Sequence, residues 1–141
     1  MEKQTESKSA KSVYLANNFS AQADMRELRE RLKQYGIKVT STWIDIQPDD
    51  PIREDKLKCC DNDLHDLFRA DALIYFAEPH QGNPGLGKHV ELGYALGMDK
   101  TIYIVRGPNQ RDSVFYHSAI VRQFDNLDAL LAHLAANGVG G

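Results

Sequence analysis

The chain has 141 residues, 42% hydrophobic and 26% charged, which suits one domain around a single core rather than two. Lysine and arginine number 17 against 20 aspartates and glutamates, and the resulting formal charge of −3 offers a nucleic-acid backbone no general attraction. No apolar run approaches the length of a membrane span and the first residues lack a signal-peptide core, so a cytoplasmic protein with neither nucleic acid nor membrane as partner is expected.

Residues 1–11 (MEKQTESKSAK) are polar and mixed in charge, and are expected to form a disordered tail. Ser12 to Ala16 is an apolar run of strand length, followed by a loop, Asn17 to Ser20, whose last residue suits a helix N-cap. From Ala21 to Tyr35, Met25, Leu28, Leu32 and Tyr35 recur at helical spacing, and Gly36 provides a stop. Ile37 to Ile44 is β-branched and contains Trp43, which predicts a second strand. A polar loop with two prolines leads to a helix from Arg53 to Ala70, with Leu57, Leu64, Leu67 and Phe68 turned inward. The adjacent Cys59 and Cys60 would bridge each other only with strain and lack further metal ligands at suitable spacing. They read as helix thiols in a reducing cytosol.

Asp71 punctuates before Ala72 to Phe76, a nearly continuous apolar run that suits a strand covered on both faces. Glu78 to Gly87 (EPHQGNPGLG) must be loop, followed by a helix from Lys88 to Leu96 and a strand from Thr101 to Val105. Arg106 to His117 is a long polar loop, in position to close over a ligand or over a neighbouring subunit's site. Ile120 to Phe124 suits an edge strand, and Leu127, Leu130, Leu131 and Leu134 mark a last helix capped by Asp125 or Asn126. Residues 137–141 are expected to be a flexible tail around a domain of residues 12–136. Strands alternating with helices throughout predict a single-domain α/β fold: a doubly wound, flavodoxin-like, parallel five-stranded sheet with helices on both faces. Ligands of such folds bind at the carboxyl ends of the strands, which directs attention to Asn17–Ser20 and Glu78–Gly87.

The second of these loops lets backbone amides approach a polar ligand at Gly82, Gly85 and Gly87, although a loop of this composition is often only a turn. Neither GxxxxGK[ST] nor GxGxxG is present, so dinucleotide and nucleoside triphosphate chemistry is unsupported. Glu91 lies about one turn into the next helix, where the peptide dipoles are expected to keep it ionised. It is either a nucleophile or a carboxylate that merely complements the dipole. Asp71 reads as a turn residue, while Asp63 and Asp66 face solvent unless one of them reaches the site. Lys88 and His89, at the helix start, can meet a phosphate or a base or simply be solvated; His89 is also a candidate proton shuttle. No histidine spacing suggests a metal site.

Three segments resemble the nucleoside 2-deoxyribosyltransferases and the related 2′-deoxynucleoside 5′-monophosphate N-glycosidases. They are Tyr14-Leu15-Ala16-Asn17-Asn18-Phe19, Asp63-Leu64 with Arg69-Ala70-Asp71-Ala72, and Gly85-Leu86-Gly87 leading to Glu91-Leu92-Gly93-Tyr94-Ala95. The resemblance runs from about Val13 to Val105. It implies a nucleophilic Glu91 that attacks C1′ of the sugar, an acid–base, sugar-contacting Asp63 and a Tyr14 beside the nucleophile. Asn17, Asn18, Phe19, Gly85, Gly87, Lys88 and His89 become expected substrate contacts.

The spacing from Gly87 to Glu91 is nearer that of the monophosphate branch, yet the serine which that branch uses against the 5′-phosphate falls at Gly85. Nucleoside and monophosphate both stay open. The C-terminal end characteristic of the transferases has no clear match in residues 126–141, so cleavage of the glycosidic bond is favoured over transfer. The resemblance further implies a homo-oligomer, a small-molecule nucleoside or nucleotide as partner, and no metal or other cofactor. The competing expectation is a non-catalytic nucleotide-binding module on the same fold.

Overall fold

The computed structural model describes residues 11–141. The tail expected over residues 1–11 therefore lies outside the described residues apart from Lys11, whose carbonyl accepts from the backbone N–H of Lys38 at 2.9 Å. Five strands form one sheet: β1 (Ser12–Ala16), β2 (Lys38–Val39), β3 (Ala72–Phe76), β4 (Thr101–Val105) and β5 (Val121–Phe124). Every neighbouring pair is parallel, and the order is β2-β1-β3-β4-β5. This is the flavodoxin-like winding, with its switch point between β1 and β3. Tyr14 stands beside Leu73 in that central register.

Four helices cover the sheet: α1 (Gln22–Lys33), α2 (Lys56–Phe68), α3 (Leu86–Gly97) and α4 (Leu127–Asn137). Right-handed crossovers send α1 to one face and α2 and α3 to the other. Arg31 of α1 meets Asp128 of α4 at 3.8 Å, which puts α4 on the face of α1. No helix among the described residues is long and apolar enough to cross a membrane.

The buried strands are continuous apolar runs because both faces are covered; Leu73, Ile74, Tyr75, Ile102, Tyr103 and Ile104 are fully buried. Those two strands coincide with the runs read from sequence. The second strand does not. In place of Ile37 to Ile44 it spans two residues, and Trp43–Asp45 is a 3-10 turn. Side chains take over the pairing: Ser41 Oγ accepts from Leu15 N at 2.7 Å, and Trp43 Nε1 donates to Leu15 O at 2.9 Å. Hydroxyl and indole groups thus compete successfully with the ladder along the upper half of β1.

The helix expected from Arg53 is also interrupted. A 3-10 turn, Pro51–Glu54, precedes α2, and Asp55 caps α2 by accepting from Lys58 N at 3.0 Å. Leu57, in the first turn of α2, and Phe68, about 100° beyond the buried Leu67, are 73% and 55% exposed rather than turned inward. Tyr35 likewise lies beyond the end of α1 and is exposed. Ser20 does not cap α1; its Oγ pairs with His80 Nδ1 at 2.7 Å. Of the two candidate caps for α4, Asn126 is used, accepting from Ala129 N at 2.8 Å. At the C-terminus, the N–H of Gly140 donates to Tyr103 Oη at 2.7 Å.

Asp66 is buried, and neither faces solvent nor enters a site. Its Oδ2 accepts from Thr42 N at 2.9 Å and Thr42 Oγ1 at 2.6 Å, while Oδ1 meets Arg69 at 3.3 Å. Its role is to fix the turn that delivers Trp43. Asp66→Ala, which strands these donors, is expected to lower unfolding stability by about 2–4 kcal/mol, read as a lower urea midpoint at unchanged slope.

Candidate active site

At the carboxyl ends of β1 and β3 lies a cleft of about 430 Å³. It gathers Tyr14, Asn17, Asn18, Phe19, Asp63, Gly85, Gly87, Lys88 and Glu91, which is every residue that the family resemblance made an expected catalytic group or substrate contact except His89; Gly82 of the same loop does not line it. Trp43, Asn83 and Leu86 complete its walls and were not anticipated. The sequence signal for Trp43 was masked by its place in a strand-like run.

Each side chain arrives from a different element. Tyr14 is the third residue of β1; its ring is buried in the sheet, and its hydroxyl donates to Glu91 Oε2 at 2.5 Å. Asp63 comes from α2 and Glu91 from α3, two helices packed on the same face. Burial, and secondarily the negative charge of Asp66, pushes the Asp63 carboxyl up to about 6.

Glu91 departs from the expectation of a fully ionised group. Burial pushes its carboxyl up to about 8; the Tyr14 hydrogen bond opposes the shift, and the charge of Asp63 adds to it. The residue is the sixth of α3, beyond the first turn where the helix dipole acts strongly, so desolvation prevails. Burial also raises the Tyr14 phenol well above its ordinary value, with the charges of Glu91 and Asp63 contributing. Tyr14 therefore stays a neutral donor that fixes one oxygen of the carboxyl and leaves the other for chemistry.

The loop before α3 closes the far end. Gly85 has a left-handed backbone (φ +68°), and a Cβ there would fall 2.8 Å from Asn18 Oδ1, so no other residue fits without displacing Asn18. Lys88 is buried rather than solvated, and its Nζ donates to Phe76 O at 2.6 Å and Glu78 O at 3.2 Å. Burial lowers its ammonium to about 8, against the opposing pull of the Glu78 charge. Phe19 and Trp43 form a tilted aromatic pair with ring centres 6.2 Å apart, and the Arg53 guanidinium sits 4.3 Å above the Phe19 ring. This is a surface on which a planar base can stack.

His89 lies elsewhere. Its Nδ1 pairs with Tyr75 Oη at 2.5 Å, and its ring lines a separate hollow with Phe115 and Tyr116. One position after Lys88 on a helix, it is rotated by about 100° away from the cleft. Burial, followed by the charge of Lys88, lowers its pKa.

A cleft that pairs two carboxyls of raised pKa with an aromatic wall is suited to breaking a bond at a sugar carbon. Residues 13–135 match the family model described as nucleoside 2-deoxyribosyltransferase. The chain belongs to that family. The match to this family of enzymes continues past Val105, where the sequence resemblance stops, and takes in most of α4. Solved structures similar to the chain include the CMP N-glycosidase BcmB of Clostridium botulinum, with 20% identity, a TM-score of 0.61, and coverage of 89% of this chain and 99% of that one. A 2-deoxyribosyltransferase from Bacillus psychrosaccharolyticus shows 17% identity and a TM-score of 0.69, with 85% and 90% of the two chains covered. At these identities the structures speak for the deoxyribosyltransferase fold. No curated protein sequence matches the chain.

Proposed function

We propose that the protein cleaves the N-glycosidic bond of a nucleoside or nucleoside 5′-monophosphate through a covalent glycosyl-Glu91 intermediate. The observation that carries this reading is the contact of Tyr14 Oη with Glu91 Oε2 in a cleft that also holds Asp63. In the first half-reaction a Glu91 oxygen bonds to C1′, the C1′–N bond breaks, and its electron pair leaves on the base. Asp63 gives that nitrogen a proton. In the second, water or the N–H of another base attacks C1′ and passes a proton to Asp63, and the Glu91 carboxylate departs. This is the logic of a retaining glycosidase, with one carboxyl as nucleophile and another managing the proton.

The catalytic unit is residues 12–136, working in the cytoplasm as a homo-oligomer. The long loop after β4 is available to a neighbouring subunit's site. A metal or cofactor has no part in the steps above.

The two carboxyls titrate as a pair, and the competent form holds one proton on Asp63 and one charge on Glu91, the less populated arrangement of the singly protonated pair because Glu91 keeps its proton to higher pH. Below about 6 both are protonated and no nucleophile exists; above about 8 both are ionised and no acid remains. A bell-shaped kcat/KM with its maximum near pH 7 is therefore expected. A profile still rising at pH 9 would remove Asp63 from the acid role. Free base detected chromatographically from deoxy- and ribonucleosides and their monophosphates, with and without a second base, tests cleavage and separates hydrolysis from transfer. Absence of base from every substrate would refute the reading.

A further inference from the structure

The segment between Glu78 and α3 is held far more lightly than its two ends. Glu78 is anchored twice over. Its carboxylate accepts from Asn109 N and Asn109 Nδ2, both at 2.8 Å, and its carbonyl accepts from Lys88 Nζ at 3.2 Å. At the other end, Leu86 begins α3. Residues 79–85 (PHQGNPG) add no side chain to the hydrophobic core, and 81–84 are exposed. Beyond the first turn of α3, two hydrogen bonds tie them to the remaining described residues. Asn18 Nδ2 donates to Asn83 O at 2.9 Å, and Ser20 Oγ pairs with His80 Nδ1 at 2.7 Å. Both partners stand just after β1, so these bonds join the two loops that wall one end of the cleft.

The segment otherwise bonds to itself. Asn83 N donates to His80 O at 3.0 Å across a tight turn, whose central residues Gln81 and Gly82 are both left-handed (φ +54° and +79°). Gly85 N donates to Asn83 Oδ1 at 2.9 Å. These internal bonds keep the segment's shape as it swings between its anchors. Its seated position is only narrowly favoured. Gly85 packs so closely on Asn18 Oδ1 that a Cβ there would fall 2.8 Å away, and this shielded acceptor has no donor among the described residues. Lifting Gly85 returns the oxygen to water. Seating the segment thus makes two hydrogen bonds and leaves one acceptor unmet, a near balance in which an open position is populated.

We propose that residues 79–85 are a flap, latched by the Ser20–His80 hydrogen bond, that opens to admit the ligand of this cleft and closes behind it. Asn83 and Gly85 form the wall beside Leu86 and Gly87, so lifting them widens the way to Glu91 and Asp63. The inference rests on the proposed function only in taking the cleft to bind a nucleoside or nucleotide, and makes no use of the chemistry. Ser20 and His80 do not line the cleft, so the latch can be changed without touching the ligand. A hydroxyl can give or take a hydrogen bond, so the latch pairs with a neutral or a protonated ring. The ligand, rather than pH, therefore works the flap. One hydrogen bond of ordinary net strength shifts the balance between open and closed about fivefold.

Trp43 is the chain's one tryptophan and lines the cleft, so stopped-flow fluorescence reads ligand arrival directly. The probe is the tightest binder among the common 2′-deoxynucleosides and their 5′-monophosphates, measured in Glu91→Gln so that no bond is broken. Adding Ser20→Ala is expected to speed association about fivefold, because more of the protein stands open. His80→Ala should do the same, and the two together no more than either, since they share one bond. Ser20→Cys with His80→Cys, once oxidised to a disulfide verified by mass, should slow association at least about tenfold and recover with dithiothreitol. Protein with only its native Cys59 and Cys60, treated alike, is the control. An association rate unmoved by latch release, or by the lock, overturns the flap. If the disulfide does not form, the release variants decide alone. Base release by the wild type with unmoved association rates refutes the flap and keeps the glycosidase reading. Association that responds as expected, with no base released, does the reverse, and no binding of any probe overturns both.

Discussion

Glu91→Gln is expected to lower kcat for base release by at least about a thousandfold while leaving the protein folded and more resistant to heat at alkaline pH. The amide keeps an oxygen for the Tyr14 hydrogen bond, so the local geometry is preserved and only the nucleophile is lost. The stability gain follows from linkage. In the unfolded chain the carboxyl loses its proton near its ordinary value of 4.5, and in the folded protein only near 8. Between those values the folded state binds more protons than the unfolded one, so wild-type stability falls as pH rises through the window. An uncharged glutamine is free of that loss. Above pH 8 the variant should melt several degrees higher than wild type, and below pH 4.5 this contribution disappears. Calorimetric scans at pH 4 and pH 9 check the difference. A variant that turns over normally rules out Glu91 as nucleophile, whereas one that is inactive but no more stable at pH 9 shows that burial is not what holds its proton.

The central strands and the cleft were legible in the sequence for different reasons. β3 and β4 are buried on both faces, and a five-residue apolar run admits few alternatives once it is bounded by Asp71 and a glycine-rich loop, as β3 is, or followed by a long polar loop, as β4 is. The cleft residues were found through three short segments that resemble a family. Periodicity alone left Glu91 a helix-start carboxylate and did not decide whether Asp63 faces solvent or reaches the site. What the sequence hid depends on side-chain competition and burial. Ile37 to Ile44 has the composition of a strand, yet Ser41 and Trp43 pair with β1 through their side chains and turn the chain into the cleft wall. The misjudged charge state of Glu91 has the same origin, because a one-dimensional pattern gives its place on a helix but not the depth of the surrounding protein. Lys88 and His89 are adjacent in sequence and looked equivalent. One helical step separates a buried ammonium lining the cleft from an imidazole paired with Tyr75 outside it.

Asp63→Asn is expected to lower kcat/KM for ordinary nucleosides by roughly a hundredfold to ten-thousandfold, and to spare substrates whose base leaves without needing a proton. N7-methylated purine nucleosides carry a positive charge on the base, so cleavage releases a neutral product with no acid required. If Asp63 supplies the proton, these substrates keep most of their rate in the variant. If Asp63 only positions the sugar, both substrate classes slow together. The pH dependence should divide in the same way. With Asp63 replaced, the carboxyl pair becomes a single group, the Glu91 nucleophile, and its activity on methylated substrates should rise with pH and then level off. The midpoint should fall somewhat below 8, because the Asp63 charge that raises the Glu91 pKa is gone. Loss of the alkaline limb, together with survival of the charged substrates, separates proton donation from the other contributions of a carboxylate in this cleft. Persistence of the alkaline limb would move the acid to another residue.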